Sequence, residues 1–194
     1  MAINYPLTLP TVTGVRSIEL QASNAVAISR SPFTFASQVH AYSGQMWSAS
    51  LTLPPMKLTA ARQWTAWLTS LRGQYGSFLL GDTSSSQISG TATSASVTGV
   101  AGDNTVTVTS NGTILAGDMI QIGPDSDATL HKVLADQSGN GSLEIWPALR
   151  KVRTAAALTL TNAKGAFRLA SNEVSWSVDE ANIYGVSFSA VEKI

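Results

Sequence analysis

Apolar and polar residues alternate strictly along Trp47-Ser48-Ala49-Ser50-Leu51-Thr52-Leu53, which places Trp47, Ala49, Leu51 and Leu53 on one face of a half-buried strand. Pro54-Pro55 ends that strand, and the period then changes. Trp64, Trp67, Leu68 and Leu71 recur at i, i+3, i+4 and i+7, the stripe of an amphipathic helix with one buried face. Thr59 is the expected N-cap, and Arg72-Gly73 the expected exit through a left-handed glycine. Gly76-Ser77-Phe78-Leu79-Leu80 returns as a strand closed by Gly81-Asp82. Upstream, Ser17-Ile18-Glu19-Leu20 and Ala25-Val26-Ala27-Ile28 predict two short strands around a Ser-Asn turn. Near the other end, Val174-Ser175-Trp176-Ser177-Val178 and Val186-Ser187-Phe188-Ser189-Ala190 alternate in the same way, joined by a turn at Glu180-Ala181-Asn182. Trp47, Trp64, Trp67, Leu68, Trp176 and Phe188 are the expected core, in which a single helix packs on one side of a β-sheet or sandwich.

The middle of the chain has another grammar, richer in Gly, Thr and Val and with Trp146 as its one aromatic. It contains short apolar runs at Ala95-Ser96-Val97, Thr105-Val106-Thr107-Val108, Met119-Ile120-Gln121-Ile122, Leu130-His131-Lys132-Val133, Leu143-Glu144-Ile145 and Leu158-Thr159-Leu160. Such spacing suits the strands of a small barrel or sandwich. Turn-like segments bound it, Thr83-Ser84-Ser85-Ser86 on one side and Asn162-Ala163-Lys164-Gly165 on the other. The expected organisation is a discontinuous core domain of residues 1–85 and 165–194 carrying an inserted domain of residues 86–164.

Composition narrows the functional classes. Apolar residues make up 44% of the 194, enough for a real core, while charged residues are only 12% and cancel to a net charge of zero. So weakly repelling a surface favours a protein that lives in an assembly. It also argues against nucleic-acid binding, because phosphate neutralisation requires clustered Lys and Arg. The densest basic group, Arg150, Lys151 and Arg153, is expected to be solvated. Without cysteine there is no disulfide framework, thiolate metal site or thiol nucleophile. The N-terminus lacks the basic and apolar regions of a secretory leader and no apolar run is long enough for a membrane helix, so synthesis in the cytoplasm as a soluble chain is expected.

Candidate chemistry is sparse. His40 and His131 are the only imidazoles, and neither stands three or four residues from a second imidazole or a thiolate, so no metal and no cofactor are expected. Asp125-Ser126-Asp127 lacks the glycine and closing glutamate of a calcium loop. There is no G-x-S-x-G elbow, and the Gly-Asp pairs at residues 81, 102 and 117 are turns without the lysine of a phosphate loop. No catalytic residue is assigned. Trp146, at a strand end beside Pro147, is the one aromatic divided between an exposed contact and local packing.

Several strings carry a family likeness: Gln38-Val39-His40-Ala41-Tyr42-Ser43-Gly44-Gln45-Met46-Trp47, Leu53-Pro54-Pro55-Met56, Leu71-Arg72-Gly73, Gly76-Ser77-Phe78-Leu79-Leu80-Gly81-Asp82 and Glu144-Ile145-Trp146-Pro147-Ala148-Leu149-Arg150. Together they resemble minor tail proteins of long-tailed bacteriophages and prophages, the distal tail protein above all. The resemblance implies a mainly β protein: a β-sandwich core with one helix, which forms a hexameric ring at the end of the tail tube, and an outer barrel of the oligonucleotide/oligosaccharide-binding type. It implies a structural, non-enzymatic role in the virion tail, with the tube, tape measure and hub proteins as partners and DNA passing through the ring. A second reading is a carbohydrate-binding module contacting the host envelope through the middle barrel and Trp146. A cell-wall hydrolase ranks third, for want of a site.

Overall fold

The computed structural model describes residues 3–82 and 87–194; the turn expected at Thr83-Ser84-Ser85-Ser86, and the domain boundary within it, lie outside the described residues. The chain is mainly β, with one α-helix among the described residues. In order come β1 (Ser17–Arg30), β2 (Ser37–Thr52), β3 (Met56–Lys57), α1 (Leu58–Ser70), β4 (Phe78–Leu80), β5 (Ala95–Gly99), β6 (Thr105–Ser110), β7 (Thr113–Ile114), β8 (Met119–Ile122), β9 (Thr129–Val133), β10 (Gln137–Ser138), β11 (Gly141–Trp146), β12 (Arg153–Thr159), β13 (Gly165–Leu169), β14 (Trp176–Val178) and β15 (Ile183–Glu192).

Strands from the two ends of the chain interleave in one sheet, in the order β1-β2-β15-β13-β4. β15 is its pivot. Its second half pairs with β2 from Ser187↔Thr52 to Val191↔Ser48, and with β13 through Leu169↔Ala190. Its first half pairs instead with β3 and β14. The alternation in β2 works as expected: Trp47, Ala49, Leu51 and Leu53 are all buried. They meet Trp64, Leu68 and Leu71 of the helix region, Phe78 and Phe188 in a single apolar cluster. Trp67 lies half-buried at its rim, edge-on to Phe78 with ring centroids 5.1 Å apart.

The helix begins two residues earlier than expected. Its N-cap is Lys57, in extended conformation and without a side-chain cap, because Lys57 is still tied into β3 and pairs with Ile183. Thr59 therefore lies inside the first turn. The exit uses two left-handed residues, Arg72 (φ 52°) and Gly73 (φ 66°). A Cβ on Gly73 would stand 2.7 Å from Asn172 Oδ1, so glycine answers a close approach as well as a backbone need. The N-terminal segment straps the helix down: Trp64 Nε1 donates to Thr13 Oγ1 (2.9 Å), Trp67 Nε1 to Thr8 O (2.8 Å), and Leu7 bridges Phe78 in parallel.

All six short runs of the middle segment are staves of one closed antiparallel barrel, in the order β11-β6-β5-β12-β8-β9 with β9 closing on β11. Its interior, including Val97, Val106, Val108, Ile120, Ile122, Leu143 and Ile145, forms a second apolar cluster. Met119 and Leu130 belong instead to the first cluster, so the barrel wall helps to close the core of the sheet.

Candidate functional site

Three features stand out from this frame: a buried polar junction, an arm with nothing around it, and an uncovered sheet edge.

The junction lies where β2 meets the barrel. Arg150 pairs with Glu192, Nη2 to Oε2 at 2.7 Å and Nε to Oε1 at 3.0 Å, and also donates to the carbonyl of Gln45 at 2.7 Å. Glu192, only 2% exposed, accepts in addition from the Trp47 amide (3.1 Å). The Gln45 side chain accepts from the Ala148 amide at 2.6 Å, and Trp47 Nε1 donates to Leu130 O at 3.0 Å. The other two basic residues are paired as well, Lys151 and Arg153 with Asp127 at 2.6 and 2.8 Å, which holds the Asp127 carboxyl below its usual range against a partial desolvation that works the other way. The expectation of solvated basic residues holds for Lys151, which is largely exposed, and is corrected for Arg150 and Arg153, which are largely buried; each of the three has a carboxylate that lies 24 to 42 residues away in the chain.

Trp146 sits in the same place and its ring packs edge-on against Trp47, with centroids 4.5 Å apart, while Nε1 donates to Asn24 Oδ1 at 2.7 Å. Of its two expected settings, the structure shows local packing. His131 is fully buried in the barrel wall. The Pro147 carbonyl can only accept, so Nδ1 carries the proton and donates to it (2.8 Å), while Nε2 lies 2.9 Å from Thr129 Oγ1, a hydroxyl that also reaches the Ile122 carbonyl at 3.1 Å. Desolvation, reinforced by Arg150 and Arg153, pushes its pKa down to about 4. His131 is a structural, neutral imidazole. His40 is exposed on β2 against Tyr42, far from it. No group of three or more metal-ligating side chains exists among the described residues. Clefts of about 440 and 550 Å³ are lined mainly by Ser, Thr, Leu and Ala, with no histidine in either.

The arm was not foreseen. Two separate strands were expected at Ser17–Leu20 and Ala25–Ile28, but β1 runs unbroken from Ser17 to Arg30, with an irregularity between Asn24 and Val26 rather than a turn. β2 likewise starts ten residues before Trp47. From Gln21 to Arg30 and from Ser37 to Gly44 every residue of this ribbon is exposed. Ile18, Leu20 and Ala22 face Leu51, Ala49 and Trp47; Val26 and Ile28 continue the same alternation opposite Ala41 and Val39, beyond the end of the core. The tip carries Phe33 and Phe35, 92% and 73% exposed, and Phe35 is held at φ 57°, an unusual conformation for a bulky residue. An apolar strip thus runs out from the core with nothing on it.

Trp176 corrects another expectation, since it is 46% exposed rather than part of the core. It pairs with Val186 and shares its side of the sheet, yet among the described residues β14 has β15 on one side and no strand on the other. Alternation told which side Trp176 faces, and could not tell that the core stops short of it. Val178 and Ile183 are exposed beside it.

No family model matches this chain, and no curated sequence matches it. Among the described residues no helix is long and apolar enough to cross a membrane.

Proposed function

We propose that this protein is a structural, non-catalytic component of a phage tail tip, which assembles through its β1–β2 arm into a ring at the distal end of the tail tube. The observation that supports the reading most is the arm. An isolated two-stranded ribbon is at best marginally stable in water, and one whose alternation leaves Val26, Ile28 and Val39 exposed requires a surface to lie on. Heterologous contacts of that kind close into rings when the rotation permits. The low surface charge, which removes the repulsion between copies, agrees with it. So do the settings of the two histidines and of the buried carboxylates Asp118 and Glu192, which have structural partners or lie apart. In this reading the tube, tape measure and hub proteins are the neighbours, the barrel projects outward, and DNA passes through without being bound.

The carbohydrate reading loses its platform, because the Trp146 ring and its N–H are engaged with Trp47 and Asn24. The test is the mass and shape of the purified protein, by light scattering and negative-stain imaging, alone and with the neighbouring tail proteins. Closed rings are expected. A particle that remains monomeric and enters no tail overturns the proposal.

A further inference from the structure

We propose that the arm of one copy docks along the free edge of β14 in the next copy, covering Trp176 and Val178. This rests on the ring-assembly reading and names the surface that receives the arm.

The first observation is where the two surfaces lie. Thr52 pairs with Ser187 and Ser48 with Val191, so β2 leads back towards the arm past the C-terminal end of β15. β14 pairs with residues Tyr184 to Val186, at the opposite end of β15. Arm and β14 edge therefore sit at opposite ends of the sheet. A strand of ten residues spans about 30 Å, long enough to leave its own subunit but directed away from its own β14. Such a pair of patches joins copies head to tail.

The second is chemical fit. Both surfaces are apolar strips on strands with one unpaired edge: β1 is terminal in its sheet, and β14 has β15 as its one neighbour. Joining the two edges would satisfy free backbone groups while Ile28 and Val26 or the tip phenylalanines cover Trp176 and Val178. The third is charge. Residues 21–46 contain Arg30 as their one charged residue, whereas residues 173–183 contain Glu173, Asp179 and Glu180 and no basic residue. Lys57, opposite Ile183, and Arg16, in the cleft beside Trp176, flank the acceptor, so it is the β14 segment itself that is acidic, and its difference from the arm favours contact between unlike patches over arm-to-arm pairing.

The test replaces Phe33, almost fully exposed and thus harmless to the fold, with the photo-crosslinker p-benzoylphenylalanine in the full-length protein. Mixed isotope-labelled and unlabelled subunits identify links between copies. The expected result is intermolecular crosslinks from position 33 to the segment 173–186. Separately, Arg30→Glu should weaken self-association about three- to five-fold, and Glu180→Arg should restore it in the double variant. Oligomers whose crosslinks join tip to tip, map elsewhere, or form only when another tail protein is added would overturn the docking proposal and leave the ring reading standing. A monomer at all concentrations overturns both.

Discussion

Glu192 shows how much can depend on one partner. Its carboxylate is 2% exposed and is neutralised by Arg150, which is itself 14% exposed. Removing one member of a buried pair leaves an uncompensated charge, which typically costs about 3–5 kcal/mol. Arg150→Met should therefore destabilise the protein by about 3 kcal/mol in urea unfolding, and Arg150→Met with Glu192→Leu should recover most of it. If the single and double variants are equally unstable, the charge is not the cause. His131 behaves differently. Its pKa is depressed from the ordinary 6.5 to about 4, so between those values the unfolded chain binds a proton that the folded one refuses. The sign follows: the contribution is complete above pH 6.5 and is lost as the pH falls towards 4, by about 3 kcal/mol over the window. Equilibrium unfolding of His131→Gln should show less loss over the same interval, whatever its stability at neutral pH. A variant with the same slope as the parent would exclude His131 as its source.

At the scale of elements, the arm, the proposed means of assembly, contributes little to folding. Its side chains beyond Gln45 and Asn24 belong to neither apolar cluster, so replacing residues 27–40 with Asn-Gly, a two-residue turn suited to a hairpin, should shift the melting temperature by only a few degrees. The same change should abolish ring formation in light scattering. Rings formed without the arm would place the interface elsewhere. Whether sequence discloses an element depends on whether its pattern is enforced by its own neighbours. The barrel strands, β2 from Trp47 onward and the Trp64–Leu71 helical stripe were legible because each turns an alternating or 3.6-period face to a core. The outer half of the ribbon was not. Ala25–Ile28 reads as a strand of its own, but Ser23-Asn24 resembles a turn and hides its continuity with Ser17–Leu20, and the polar stretch around Gln38 and His40 hides the early start of β2. Trp176 failed for the complementary reason: periodicity assigns a side but not the length of the layer that covers it. The ion pairs of Arg150 and Arg153 were illegible because their partners are brought close by the fold, not by the chain.

For the molecule as a whole, the question is whether barrel and sheet act as one body. Met119 and Leu130 leave the barrel wall to join the sheet's cluster, and a Cβ on Gly165 would come within 2.9 Å of Leu130 Cβ, so the two layers are in contact without slack. Four polar bonds of the junction involve Gln45 and Trp47 at the root of the arm, which accept from Ala148 and Arg150 and donate to Glu192 and Leu130. Tension on the arm in an assembled ring would thus reach the barrel through β2. The rigidity of that link is measurable. Gln45→Ala deprives the Ala148 amide, a buried residue's donor, of its acceptor at a cost of about 1–3 kcal/mol, and loosens the barrel from the sheet while leaving both clusters intact. In the parent, barrel strands β6, β8 and β9 and sheet strands β2 and β15 should lose hydrogen-exchange protection together as denaturant rises. In Gln45→Ala the barrel strands should open first, as a separate unit. Simultaneous opening in both proteins would mean that the shared apolar contacts of Met119 and Leu130 alone make the two layers one cooperative body.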